Sequence, residues 1–204
     1  MNDIKLFVEL PSLQFFANRV NFGINRVHYA VITEDPVTGE YTYATPVRIP
    51  GAVSLTETTV GDNTRFYADN GVYYSASSNQ GYEMTLTFAK IAEQFRIDVL
   101  GETLVNGGLY ENGNARQKQF ALLFEIDGDV QEDKFVYYNC SATRPGTSTT
   151  TKTETTEVNT NELTITASPR PTDRAIRWIT GETTDQAIKD TFYDAVVEPV
   201  TIPW

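Results

Sequence analysis

A single cysteine, a single histidine, two tryptophans and two methionines in 204 residues leave this sequence few of the side chains that usually carry chemistry. One cysteine, Cys140, cannot build an internal disulfide framework and fits synthesis in a reducing compartment. His28 is the only imidazole available to a Ser-His-Asp triad, and no G-x-S-x-G elbow presents a serine. Gly107-Gly108 is not followed by G-K-[ST], so there is no phosphate loop. No run approaches about 18 consecutive apolar residues, which excludes a helical membrane span. The first twenty residues, with Asp3, Glu9 and Pro11, lack the basic start and unbroken apolar core of a secretory signal. Positive charge is scarce as well. Against 27 Asp+Glu stand 16 Lys+Arg, a formal net charge of -11, which argues against a surface built to grip phosphates. These absences predict an acidic protein, made inside a cell, that is not an enzyme and holds no metal or cofactor.

What is present is strand periodicity. Residues 24–33 (INRVHYAVIT) are rich in β-branched and aromatic types and stop at the turn signal Glu34-Asp35-Pro36. Residues 41–49 follow as the second arm of a hairpin, with Pro46 confined to an edge or a bulge because it has no N–H for a ladder. Residues 52–59 place Val53 and Leu55 on one face and Ser54, Thr56 and Thr58 on the other. Residues 83–89 set Met84, Leu86 and Phe88 against Glu83, Thr85 and Thr87. Residues 120–126 and 134–142 read as two further strands, and residues 162–167 set Leu163, Ile165 and Ala167 against Glu162, Thr164 and Thr166. Each is expected to have one apolar and one wet face. Two helices are predicted. One carries Ile91, Phe95 and Val99 at a spacing of four and ends at Gly101. The other begins at Thr183-Thr184-Asp185 and shows the stripe Ala187, Ile188, Phe192, Ala195 and Val196.

The length fits one domain, residues 1–204. Within it lie a long loop at 60–80 holding Phe66, Tyr67, Tyr73 and Tyr74, and a Thr-rich loop at 143–161. His28 in a strand reads as structural, and Cys140 as a buried, inert thiol sharing a face with Val136 and Ala142. The cluster Asp127, Asp129, Glu132 and Asp133 lacks the order of a calcium loop and reads as a solvated connection between strands.

Longer strings carry a resemblance. VNFGINRVHYAVITED, RIPGAVSLT, FYADNGVYYSASSNQGYEMTL, FRIDVLGE, FALLFEIDGDV and YYNCSATRP occur in this order between Val20 and Pro145. The stretch from Val20 to Pro169 resembles the major tail proteins (tail tube proteins) of long-tailed bacteriophages, and within them the phi13-type family. The first nineteen residues and the region after Pro171 are less similar and read as an N-terminal arm (1–19) and a C-terminal helix and arm (172–204).

The resemblance implies a mainly β fold: a β-sandwich flanked by one helix, with a C-terminal helix, whose sheets join between subunits into an inner barrel. It implies a structural virion protein that self-assembles into stacked hexameric rings. The resulting tube would let DNA pass without specific binding, and would be assembled in the host cytoplasm with no part in a membrane. Its partners would be further copies of itself and the tape-measure, tail-tip and tail-terminator proteins. On that reading the lumen-facing residues are expected to be Ser54, Thr56, Thr58, Glu83, Thr85, Thr87, Asn139, Ser141, Glu162, Thr164 and Thr166, although alternation alone equally describes an ordinary solvent face. Phe66, Tyr67, Tyr73 and Tyr74 are candidates for contacts between subunits or rings, or else for completing the subunit's own core. The inner tube of a contractile tail or a phage-derived bacteriocin, and a β-sandwich carbohydrate-binding or adhesion module, are the alternatives.

Overall fold

A computed structural model describes residues 23–127, 133–146 and 159–198. Its strands are β1 (Gly23–Glu34), β2 (Tyr41–Tyr43), β3 (Val47–Arg48), β4 (Ala52–Val60), β5 (Asn63–Ala68), β6 (Gly71–Ser77), β7 (Gly81–Phe88), β8 (Thr103–Val105), β9 (Gly108–Tyr110), β10 (Phe120–Asp127), β11 (Lys134–Ala142), β12 (Asn161–Ala167) and β13 (Arg177–Ile179). Two short helices, α1 (Glu93–Asp98) and α2 (Gln186–Asp190), complete the described elements. Among the described residues no helix is long and apolar enough to cross a membrane.

Nine strands form one antiparallel sheet in the order β2-β1-β10-β11-β12-β7-β4, with β3 paired to β1 and β13 to β11. The chain is mainly β, and this sheet folds over itself into a sandwich. β11 makes the fold possible. Its first half pairs with β13 (Phe135↔Ile179, Tyr137↔Arg177) and its second half with β12 (Cys140↔Ala167, Ala142↔Ile165), so one strand edge serves two directions. The register against β10 slips between Phe120 and Leu122, a bulge that bends β11 between these halves. Val27, Tyr29, Phe120, Leu122, Phe124 and Tyr137 from one layer then meet Met84, Leu86, Phe88, Leu163 and Ile165 from the other in the main core.

α1 closes one end of this core. Ile91, Phe95 and Val99 are all buried there, as their spacing predicts, and Phe95 packs edge-on against Tyr29 at 5.1 Å and Phe120 at 5.6 Å. Gly101 ends the helical turn at φ +76°, and a Cβ there would stand 2.7 Å from the Arg116 carbonyl oxygen. That crowding and the left-handed backbone both call for glycine.

Several expectations need correction. β10 as far as Glu125 and β11 as far as Cys140 do not have a wet face; Ser141 is the exposed position of β11. Ala121, Leu123, Val136 and Tyr138 form a second apolar cluster on the outer side of the sheet, covered by Ala175, Trp178, Phe192, Tyr193, Val196 and Val197. The unbroken run FALLFEI carries this signal, because a strand buried on both faces loses its alternation. The bulge in β11 also turns Val136 away from Cys140 and Ala142, which lie in the main core. In β4 the register slips between Ala52 and Ser54, leaving Val53 as the extra residue, 56% exposed instead of packed beside Leu55. Residues 63–77, expected as loop, form the β5–β6 hairpin, turned by Asp69 and Asn70 at φ +51° and +58°. The expected hairpin of residues 24–33 and 41–49 is present, and it breaks at Pro46 into β2 and β3, which pair with successive segments of β1. The second helix is shorter than its stripe. Asp185 caps it, accepting from the Ala187 N–H at 3.0 Å, but the chain leaves the helix at Thr191 before Phe192 reaches the sheet.

Candidate functional site

The strands from β4 to β12 present their polar positions in register. Ser54 pairs with Thr87, which pairs with Glu162; Thr56 pairs with Thr85, which pairs with Thr164; Thr58 pairs with Glu83, which pairs with Thr166, which pairs with Ser141. Three cross-strand rows result, with strands roughly 4.8 Å apart and rows about 7 Å apart along them. Ten of the eleven residues expected to face a lumen therefore share one face of one sheet. Threonine suits these positions: its β-branched side chain packs on a pleated surface, and cross-strand threonine pairs contribute about 0.2–1 kcal/mol each. Thr85 and Thr87 on the middle strand are half-buried between their neighbours, while Ser54, Thr56, Thr58, Glu83, Ser141, Glu162 and Thr166 are exposed. The only ionic groups in the rows are the carboxylates of Glu83 and Glu162.

Asn139 is the exception. It sits at the β11 bulge, 5% exposed, with its side-chain amide donating to the Pro169 carbonyl at 3.5 Å; its side-chain oxygen Oδ1 finds no partner among the described residues. The Ser168–Arg170 segment covers it, so it is not part of the open face.

The opposite, core-facing side of β4 carries a polar cluster that alternation could not reveal. Glu57 accepts from the Tyr137 hydroxyl at 2.6 Å and from the Arg177 guanidinium at 2.8 Å, and that guanidinium lies 4.4 Å from the centre of the Tyr82 ring. Burial and the neighbouring carboxylate hold the Tyr137 hydroxyl well above its usual range. The cluster ties β4 at the end of the sheet to β11 and β13. β4 itself is nine residues long, mostly exposed, and paired on only one side among the described residues. An open edge of that length invites another strand unless it is covered.

Two hairpins stand apart from the main sheet. β5–β6 continues the β4–β7 pair and carries Tyr73 and Tyr74, 77% and 61% exposed. These two rings do not fold back into the subunit's own core. Phe66 pairs with Tyr74 and Tyr67 with Val72 along the hairpin's backbone. β8–β9 turns at Asn106-Gly107, both at positive φ, and exposes Leu104, Val105 and Tyr110. The Asn-Gly pair between apolar residues is a hairpin signal in its own right, additional to the strands expected from alternation.

A third construction holds the C-terminal segment to the sheet. The Lys134 ammonium donates to the Lys189 carbonyl at 2.7 Å and lies 5.9 Å from the Phe192 ring centre. The Tyr138 hydroxyl donates to the Val197 carbonyl at 2.9 Å, and Arg170 bridges Asp173 at 2.6 Å and Glu198 at 2.9 Å. The Arg170 guanidinium in turn keeps the Asp173 carboxyl below the ordinary carboxylate range.

His28 stacks on Tyr193 at 4.3 Å, and burial, together with the nearby Arg48 and Arg26 charges, lowers its pKa. Cys140 is fully buried, and burial pushes its thiol far up. Among the described residues no set of three or more His, Cys, Asp or Glu side chains could hold a metal ion. Asp129 and Glu132 of the acidic cluster, most of the Thr-rich loop, the N-terminal arm and residues 199–204 lie outside the described residues.

No individually curated protein matches the chain. The family profile described as phage tail tube protein matches residues 57–197, from the polar strand β4 to the docked C-terminal segment. The match runs on past Pro171 into the expected C-terminal helix and arm, and residues 20–56 fall outside it. Proteins of this family are structural, not enzymatic, and build the tube of the virion tail by self-assembly; with well over half of its length matched, the chain belongs to the phage tail tube protein family.

Proposed function

We propose that six copies of this subunit close into a ring, that rings stack into the tail tube, and that the rows on β4, β7, β12 and the end of β11 line the channel through which DNA leaves the virion. The observation that carries this is the alignment of ten hydroxyl and carboxylate positions on one open sheet face with no cation among them. A Lys or Arg on such a wall would pair with phosphates and hold the polymer, whereas hydroxyls and a few carboxylates let it slide. Screening confines the effect to about 8–10 Å at physiological salt, so only these wall residues matter and the net charge of the whole chain does not. The β4 edge, unpaired among the described residues, supports the ring: a neighbour's strand added there extends the sheet and leaves no edge exposed once the ring closes. The tape-measure, tail-tip and tail-terminator proteins are the heterologous partners of such a tube, and it is assembled in the host cytoplasm.

Replacing Glu83 and Glu162 together by lysine tests the channel. Tails should assemble with normal length and width by electron microscopy and eject DNA more slowly, with the delay shrinking as salt is raised. Unchanged ejection from well-formed tails would end the channel assignment. A ring of other than six subunits, counted in end-on images, would correct the stoichiometry while leaving the wall in place.

A further inference from the structure

The two projecting hairpins lie at opposite ends of the same strand. β5–β6 emerges where β7 begins, with the Gln80 N–H donating to the Val60 carbonyl at 2.8 Å at its base. β8–β9 follows α1 beyond the Phe88 end, where Glu111 pairs with Arg144 at 3.0 Å just past the end of β11. The length of β7 separates them by about 24 Å.

Each hairpin is a two-stranded ribbon, which is at best marginally stable in water without a surface to pack on. Each also exposes large apolar side chains. Tyr73 and Tyr74 are 77% and 61% exposed on β6, and Leu104, Val105 and Tyr110 are 59%, 49% and 55% exposed on β8–β9. Tyr73 is the extra residue where the β5–β6 register slips, so a bulge re-aims it away from the ladder. Single exposed apolar residues are ordinary, but two clusters at opposite poles are what a head-to-tail contact needs. Such a contact joins two different surfaces and repeats without closing.

Charge agrees with this pairing. The tip of β5–β6 carries the exposed carboxylate of Asp69. Beside β8–β9, Glu102 is paired with Arg96 and Glu111 with Arg144, while Arg116 and Lys118 are exposed. One hairpin thus joins exposed aromatic rings to an acidic tip and the other joins exposed apolar side chains to a basic rim, a complementary pair of surfaces.

We infer that the β5–β6 hairpin of one subunit seats on the β8–β9 hairpin of a copy in the next ring, with Tyr73 and Tyr74 against Leu104, Val105 and Tyr110, and Asp69 against Arg116 and Lys118. The occupant is a second copy of this chain, because the family builds its tube by self-assembly. The inference rests on the stacked-ring reading above and adds the acceptor surface.

Zero-length carbodiimide coupling of purified wild-type tails tests it directly. A peptide joining Asp69 to Lys118 is expected by mass spectrometry, and the separation of the two ends makes that link a contact between copies. Tails carrying Tyr73→Cys and Leu104→Cys together should form disulfides on mild oxidation. Buried Cys140 stays silent. Ring-to-ring seating gives a ladder on denaturing gels that runs past six subunits, whereas a ladder stopping at six means side-by-side contact and overturns the inference. Asp69→Lys should abolish assembled tails, and Arg116→Glu with Lys118→Glu should restore them. Stacked rings with neither cross-link refute the hairpin pairing alone; tails without stacked rings refute the reading beneath it. Should the cysteine variant fail to assemble, the wild-type coupling decides.

Discussion

Removing the Phe192 ring probes whether the C-terminal segment is an integral layer of the subunit. Phe192 is fully buried on the outer face of the sheet, 6.4 Å from Trp178 and edge-on to Tyr193 at 5.2 Å, with the Lys134 ammonium over its ring. Truncating a buried phenylalanine to alanine costs about 3–5 kcal/mol, from lost transfer free energy and the cavity left behind. For a chain of this size each kcal/mol lowers the melting temperature by roughly 2–4 °C, so Phe192→Ala should melt about 6–20 °C earlier. Ile188, on the same segment and 37% exposed, supplies the control, and Ile188→Ala should cost no more than about 1 kcal/mol. Guanidinium unfolding of dispersed subunits, followed by far-ultraviolet circular dichroism and by emission of the neighbouring Trp178, measures both. Equal losses for the two variants, or a loss under about 1 kcal/mol for Phe192→Ala, would refute the docked-layer account.

Other perturbations reach different parts of the same architecture. Gly81 sits at φ +131°, and a Cβ there would collide with the Ala167 carbonyl, so Gly81→Ala should cost more than about 2 kcal/mol; Gly107→Ala, at φ +80° in open space, should cost about 1 kcal/mol by the same unfolding assay. Burial raises the hydroxyl pKa of Tyr29, Tyr43, Tyr137 and Tyr138, with Tyr43 pushed up to about 12. A raised folded-state pKa means the stabilisation is complete below the unfolded value of about 10 and fades as the pH climbs toward the folded value. The denaturant midpoint should therefore hold steady up to about pH 9 and fall above 10, and Tyr137→Phe should flatten that fall. The Cys140 thiol should be unreactive toward an aromatic disulfide reagent in the folded subunit and titrate as one thiol in guanidinium; rapid labelling of native protein would contradict its burial.

Much of this was legible in the sequence because it is local. Alternation over residues 83–88 and 162–167 set the faces of β7 and β12. Apolar residues four apart placed α1 against the core, and the turn signals bounded the strands. The polar faces assigned one strand at a time fell into common rows because a period of two leaves each strand a single register that buries its apolar set. What failed was also local in origin. Bulges at Val53 and in β11 insert one residue and reverse the facing of the positions beyond them, and nothing in the residue types there announces the slip. The Asp69-Asn70 and Asn106-Gly107 turns are present as signals, but lie in stretches that resemble loops because their strands show no apolar alternation.

The sequence by itself determined the strands β1, β4, β7, β10, β11 and β12, the two-faced character of β7 and β12, the first helix and, through its longer strings, the family. Only the tertiary structure decided which faces are open. The outer side of β10 and β11 is dry because residues 175–197 return to cover it, although at least 37 positions separate them from Tyr138 (175 − 138). The side of β4 that should hold only apolar residues carries Glu57 because Arg177, 120 positions away, arrives to pair with it. Such outcomes depend on contacts between distant segments, whose pairing is set by the competition of whole surfaces for burial and not by the residues at either site.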